Sequence, residues 1–206
     1  MRYSIACILG CAWLALATPS IAETEGPYKL NESILGFELG KHTLEDIQAK
    51  LGRSVPISPR EGEPFKICYV SNQQPEIFVV FEAMIKTASL LAFTVTSDIS
   101  KIPERDECIK SSILSQSILT AGTLKLGMTR AQLQKVFGKA SKSEGNKLSY
   151  IYQAKVRMSE EEMKRMEHQW PDEVKKYPYW NLMSIIAIEL LKNKIVSMRV
   201  SKTETY

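Results

Sequence analysis

Two distant stretches of this chain repeat one pattern, and that repetition constrains the fold more than any other feature of the sequence. The first stretch runs over Leu39–Gly52 and the second over Leu126–Gly138. From Thr43 and Thr129 onward the two stretches superpose without a gap, and the first has one additional residue before its threonine. The chain is therefore predicted to build the same local structure twice.

Each copy has the features of a short capped helix. A threonine hydroxyl can accept a hydrogen bond from a free N–H of the first helical turn, and Thr129 with Gln132 fits a capping box. In the first copy Asp46 takes the matching position, where its charge suits the positive end of the helix. Glycine then supplies the left-handed residue that ends each helix. The apolar residues fall on one face of each helix: Leu44, Ile47 and Leu51 in the first, and Leu133, Val136 and Phe137 in the second.

Three strand candidates follow each predicted helix, rich in Val, Ile, Phe and Thr. They are Phe65–Val70, Ile77–Met84 and Leu90–Thr96 in the first half, and Leu148–Ala154, Ser184–Leu191 and Ile195–Ser201 in the second. A short meander needs cover on its apolar face, and the helix can supply that cover. The predicted fold class is therefore α+β, with two tandem repeats that each pack a short helix on an antiparallel β-meander to form a curved sheet.

Residues 1–22 have the three-part pattern of a secretory signal peptide. Arg2 gives a positive start, residues 5–17 are uncharged and too short to span a bilayer, and Ala22 ends a small-residue cleavage site. The alternative is a lipoprotein signal that lipidates Cys11, but the apolar run continues past this cysteine where a lipoprotein turns polar. We therefore predict cleavage after Ala22, a periplasmic or secreted protein, and no membrane span in the mature chain.

The repeat pattern divides the rest of the chain into three parts. Residues 23–98 are predicted to form the first helix-plus-meander repeat, residues 99–118 a bridging segment, and residues 119–206 the second repeat. The second repeat carries a helical insertion at about residues 156–182, where a capping box and charge pairs four residues apart favour a helix.

Two of the four cysteines, Cys68 and Cys108, remain after removal of the signal. In an oxidising compartment an even pair most simply forms one disulfide, which by loop-closure entropy stabilises the fold by about 4 kcal/mol. The alternative is two buried free thiols. There is no C-x-x-C motif, and His42 and His168 have no ligand spacing relative to the cysteines, so neither a metal nor a cofactor is predicted.

The sequence contains no recognisable catalytic motif, whether a nucleophile elbow, a zinc-protease helix, a phosphate loop or a dinucleotide fingerprint. A base at His42 would need a nucleophile or carboxylate partner, and none can be assigned. The acidic run Glu160–Glu162 is interpreted as a helix start capped by Ser159. The net charge of +4 is too small to indicate nucleic-acid binding. The chain is therefore predicted not to be an enzyme.

The second copy, Leu-Gly-Met-Thr-x-x-x-Leu-x-x-x-Phe-Gly over residues 126–138, is followed by the strand candidate at 148–152. This pattern resembles the repeat unit of a bacterial envelope superfamily. The superfamily includes the small outer-membrane lipoprotein of the β-barrel assembly machinery and the secreted β-lactamase inhibitor protein. The resemblance covers residues 33–98 and 117–201, and the tandem layout is closer to that of the inhibitor protein. It implies helices packed on a curved antiparallel sheet and a function in binding other proteins without catalysis.

The predicted function is therefore that of an exported protein-binding module, either an envelope-assembly scaffold or a protein inhibitor. Tyrosine and tryptophan combine a large apolar area with a polar atom and serve well in protein interfaces. The candidate partner contacts are Trp170, Tyr177, Tyr179 and Trp180, which could instead cover the end of their own sheet. The alternative function is binding of a small ligand in the concavity of the sheet, lined by Tyr150 and Tyr152.

Overall fold

A computed structural model describes residues 27–57, 61–103, 105–115, 117–168 and 170–205. The predicted signal peptide lies outside the described residues. The helices are α1 (Pro27–Asn31), α2 (Leu44–Leu51), α3 (Arg130–Phe137), α4 (Glu160–Glu167) and α5 (Pro171–Lys176). The strands are β1 (Ser33–Ile34), β2 (Phe37–Glu38), β3 (Phe65–Ser71), β4 (Phe78–Ala83), β5 (Ala92–Thr96), β6 (Ile109–Ser111), β7 (Lys142–Glu144), β8 (Lys147–Arg157), β9 (Tyr179–Leu191) and β10 (Lys194–Thr205).

Eight of these strands form one open, mixed sheet in the order β6-β3-β4-β5-β10-β9-β8-β7. Strands β6 and β3 pair in parallel, and the other neighbours pair antiparallel. The remaining two strands, β1 and β2, form a separate hairpin. The predicted α+β fold of helices on antiparallel meanders is confirmed. None of the helices in the described ranges has the length and apolar run that crossing a bilayer requires.

The two halves of the sheet meet along β5 and β10, so each half contributes its third strand to the centre. The turn before each helix is hydrogen-bonded in the same way at the beginning of that third strand, to a residue just before β5 in the first half and to the second residue of β10 in the second half. The N–H of Gly40 donates to the carbonyl of Leu90 over 2.8 Å, and the N–H of Gly127 donates to the carbonyl of Ile195 over 2.9 Å. Both glycines are in the left-handed region, with φ of 80° and 81°. The two predicted units therefore have equivalent local geometry.

Helices α2 and α3 begin as the sequence predicts. Thr43 accepts a hydrogen bond from the N–H of Asp46, and Thr129 accepts one from the N–H of Gln132. In both helices the third residue also accepts from the backbone N–H of the threonine, which completes a capping box. Each helix thus starts at a fixed residue and presents a fixed face to the sheet.

The side of the sheet that carries α2 and α3, here called the helix side, holds the main core. Side chains alternate along each strand, so every second residue reaches this side. Phe137 of α3 packs on Tyr150 of β8 with ring centroids 5.1 Å apart. The core includes Leu44, Ile47 and Leu51 of α2, Leu133 and Phe137 of α3, Tyr69, Val79, Phe81, Phe93 and Val95 of the first half, and Tyr150, Ile186, Ile188, Met198 and Val200 of the second.

Residues 27–38 were not assigned to any element from the sequence, and they form α1 and the β1–β2 hairpin. This segment inserts polar groups into the fold: Asn31 and Glu32 are both buried. The hydroxyl of Thr120 donates to the side chain of Asn31, and the hydroxyl of Ser184 donates to the carboxylate of Glu32. These two hydrogen bonds attach the segment to Thr120, which precedes α3, and to β9.

The insertion is shorter than predicted because the surrounding strands are longer. β8 and β9 remain paired as far as Arg157 and Tyr179, and the N–H of Met158 then donates to the carbonyl of Pro178 over 3.0 Å. Helices α4 and α5 lie between these positions. Tyr179 and Trp180 are therefore residues of β9 and do not belong to the insertion.

Candidate protein-binding surface

The side of the sheet opposite the helices is covered in the first half. Its apolar residues are buried under the bridging segment, which contributes Ile102 to a second, smaller core. Cys68 of β3 and Cys108 of the bridging segment form a disulfide with Cα atoms 4.5 Å apart, which confirms the predicted bond. The buried residues of this core are Cys68, Val70, Phe78, Val80 and Ile102, with Ile57 and Cys108 packed against it.

The same side of the second half has no comparable cover from the described part of the chain. None of its residues is buried by the described part of the chain, and Ile151 is 40% exposed. Met183, Ile185 and Ala187 of β9 are half-buried. We call this surface the open face, and it consists of Ser149, Ile151, Gln153 and Lys155 of β8, Asn181, Met183, Ile185 and Ala187 of β9, and Arg199, Ser201, Thr203 and Thr205 of β10.

Two ion pairs mark the border between the covered and the open regions. Lys101 of the bridging segment places its Nζ 2.7 Å from Oε2 of Glu189 on β9, and Arg199 of β10 places Nη2 2.7 Å from Oε2 of Glu82 on β4. The hydrogen bond to Glu189 raises the pKa of Lys101. The two pairs therefore fix positions: Arg199 is held to the buried Glu82 on β4, and the bridging segment is attached to β9 at Glu189.

A groove of about 400 Å³ lies at the end of the sheet that is far from the bridging segment. Most of its lining residues belong to the open face, at the end that extends beyond Ser201, the last residue of β10 that pairs with β5. The mixed lining of amide, hydroxyl and thioether groups offers hydrogen bonds beside apolar contact. The lining residues are Gln153, Ala154, Lys155, Asn181, Leu182, Met183, Thr203 and Thr205.

The four predicted contact residues do not share one surface. Trp170, Tyr177 and Tyr179 are 46%, 57% and 44% exposed, whereas Trp180 is half-buried. Tyr179 pairs with Arg157 on the open-face side of the ribbon. Trp180 is the next residue on the strand, so its side chain lies on the helix side. Of the four, Tyr179 is the one that continues the open face, and Trp170 and Tyr177 flank α5.

The two tyrosines of the alternative ligand site, Tyr150 and Tyr152, lie two residues apart on the helix side of β8. Tyr150 is buried and borders a cleft of about 210 Å³ between α3 and β7, lined also by Arg130 and Gln134. Tyr152 is 42% exposed and stacks on Tyr28 with ring centroids 5.2 Å apart. Binding of a small ligand beside these tyrosines stays a prediction.

The titratable residues singled out from the sequence have structural roles. His42 accepts a hydrogen bond from the N–H of Glu38 through Nδ1 over 3.0 Å, and it packs edge-on against Phe37. Hydrogen bonds from the backbone and the hydroxyl of Ser159 lower the pKa of Glu162, as expected of the residue that completes the capping box of α4. Within the described ranges, no three His, Cys, Asp or Glu side chains converge to hold a metal ion.

Comparison with family models, with curated proteins and with solved structures found no match for this chain. The membership of the envelope superfamily therefore stays a prediction. The open face was not predicted from the sequence. Its signal was the alternation of the polar Arg199 and Ser201 with the apolar, buried Met198 and Val200 along β10, which is typical of a strand with one uncovered side.

Proposed function

We propose that the protein is an exported, non-enzymatic protein-binding module whose partner contacts the open face. The single observation that carries this proposal is the unequal cover of two equivalent half-sheets. The bridging segment buries Val70, Phe78 and Val80 on one half, whereas Ile151 and Ile185 on the other half remain accessible. A bound partner would bury the open face of the second half, as the bridging segment buries the same side of the first half.

The composition of the open face fits a protein interface. A typical interface has an apolar centre and a polar rim. Here Ile151, Met183 and Ile185 lie side by side on neighbouring strands, and hydroxyl and amide side chains surround them. Such a surface offers apolar burial worth roughly 25 cal/mol per Å² together with hydrogen bonds that fix the position of the partner.

Export is supported by the signal-like N-terminus and by a disulfide of the kind that persists outside the cytosol. The matching geometry of the two halves supports descent from one duplicated unit, as in the envelope superfamily that the sequence resembles. A scaffold and an inhibitor would use the same surface, and their partners distinguish them. An inhibitor forms a stable complex with a hydrolase and abolishes its turnover, whereas a scaffold co-purifies with envelope components and leaves turnover intact.

In-cell photo-crosslinking tests the proposal. A photoreactive side chain would replace Ile185 on the open face or, as the control, Thr87 in the exposed turn between β4 and β5. The expected result is one defined protein adduct from position 185 that is absent from position 87. If both positions give the same pattern, or neither gives an adduct, the open face is not the binding surface.

A further inference from the structure

The outer edge of β8 is unpaired along most of its length. β8 has 11 residues, but β7 pairs only with Lys147, Leu148 and Ser149. The N–H of Ile151 donates to Oγ of Ser141 over 3.0 Å. Beyond that bond, no strand of the described chain pairs with this edge, although β9 pairs with the inner edge as far as Arg157.

The direction of the free backbone groups follows from the alternation of an antiparallel ladder. Successive residues of a strand direct their N–H and C=O groups alternately to the two sides. Because the N–H of Ile151 points away from β9 to Ser141, the N–H and C=O groups of Gln153, Lys155 and Arg157 point away from β9 too. These three residues are exposed, so their backbone groups form a ready template for another strand.

The side chains of residues 152–157 are apolar on the helix side of this edge and polar or basic on the opposite side. On the helix side, Tyr152 and Val156 are each 42% exposed and lie on either side of Ala154. On the other side are Lys155 and Arg157, and neither forms an ion pair with a described residue. A strand added here would meet apolar groups on one face and two basic groups on the other.

We propose that residues 151–157 of β8 bind an extended segment of the partner as an added strand, in which apolar side chains alternate with carboxylates. The backbone ladder would supply affinity, and the alternate side chains would supply specificity. This inference rests on the proposed protein-binding function and specifies the chemistry of the partner. It also places the added strand directly beside the open face.

Charge favours a different protein over a second copy of this chain as the occupant. Antiparallel pairing of two β8 edges about Lys155 would place this lysine opposite its counterpart in the other copy, with Arg157 nearby. Like charges opposite each other on paired strands are destabilising. The basic pair therefore disfavours self-association and favours an acidic strand.

The first test uses a synthetic peptide that alternates Val and Glu, with a twin that alternates Val and Lys. Binding would be followed by amide NMR of the full mature chain. We expect the Val/Glu peptide to bind at least about tenfold more tightly than its twin and to protect the N–H groups of Gln153, Lys155 and Arg157 from exchange. Equal binding of the two peptides, or no protection of these three groups, would overturn the proposal, as would a dimer without peptide.

The second test removes one outward N–H. Gln153→Pro deletes the donor on an edge where proline is tolerated, and Gln153→Ala is the matched control that loses the side chain but keeps the donor. Lys155→Pro with Lys155→Ala repeats the comparison if the first proline variant fails to fold. The proline variant should lose at least about tenfold in peptide affinity relative to its alanine control; equal affinities contradict strand addition. If the adduct at position 185 persists in a folded proline variant, strand addition is wrong and the protein-binding function stands.

Discussion

Glu32 is the residue whose chemistry departs furthest from that of a surface carboxylate. Burial, with a smaller contribution from Glu38, raises its pKa above the ordinary 4.5, although Ser184, Lys202 and Lys29 oppose the shift. Lys202 is itself held by Glu204 over 3.0 Å, so it is shared between two carboxylates. Glu32 thus joins the N-terminal segment to β9 through a carboxyl group whose pKa is raised by burial.

This preference gives a pH dependence with a definite sign. A carboxyl whose folded-state pKa is raised binds its proton more tightly in the folded state, so the protein loses stability as pH rises from about 4.5 through the folded-state pKa. Glu32→Gln removes this dependence. Urea unfolding at about pH 4.5 and pH 8 should show that the free energy of unfolding of the parent, relative to the variant, is smaller at the higher pH. A difference that is constant with pH would contradict the account.

The elements that the sequence predicts well are those fixed by local chemistry. Helices α2 and α3 begin immediately after Thr43 and Thr129 because the caps define their first residue. The six central strands lie where β-branched and aromatic residues cluster. The β1–β2 hairpin, β6 and β7 were not predicted, because strands of two or three residues carry no measurable periodicity.

The equivalence of the two caps is testable. Thr43→Ala and Thr129→Ala each remove a side-chain acceptor from the first turn of a helix and should each lower the free energy of unfolding by about 1 kcal/mol. Thr87→Ala, in an exposed turn, is the control and should change it by less than about 0.5 kcal/mol. Chemical denaturation measures all three. A loss at only one of the two helix caps would show that the halves are not equivalent.

The Cys68–Cys108 bond holds the bridging segment over the first half. Replacing both cysteines with alanine should lower the free energy of unfolding by about 4 kcal/mol, because the bond spans 40 residues of chain and limits the unfolded state. Chemical denaturation of the oxidised parent and of the double variant measures this loss in the free energy of unfolding. A loss below about 1 kcal/mol would show that packing on Ile102, and not the bond, holds the bridging segment.

Three residues at the insertion, Met158, Met166 and Val174, are buried but belong to neither of the two core clusters. Replacing residues 157–179 with Asn-Gly would join Val156 to Trp180, whose backbone groups face each other, through a two-residue hairpin turn. We expect this variant to fold, with a melting temperature within a few degrees of the parent, and to lose retention of the partner if Trp170 and Tyr177 contact it. Unfolding of the variant would mean that these aromatics support the sheet.

At the scale of the whole molecule, two equivalent half-sheets differ in what covers them. The sequence predicted the α+β fold class and the disulfide because each depends on local pattern or on cysteine pairing. It could not predict the open face, because the path of the bridging segment over Val70 and Phe78, and its end near Glu189, is decided by tertiary packing. Tyr179 and Trp180, which the sequence placed in the insertion, belong to β9 for a related reason: the pairing of β8 with β9 continues as far as these residues.

The most direct test of the account measures how tightly the crosslinked partner binds two variants with matched exposure. Ile151→Arg introduces a charge at the centre of the open face, and Ile113→Arg introduces the same charge at an isoleucine of similar exposure, 47% against 40%, in the bridging segment. Both variants should fold as the parent does. We predict at least about a tenfold loss of affinity for Ile151→Arg and parent-like affinity for Ile113→Arg. Parent-like binding by Ile151→Arg, or a loss confined to Ile113→Arg, would contradict the central claim that the partner covers the open face.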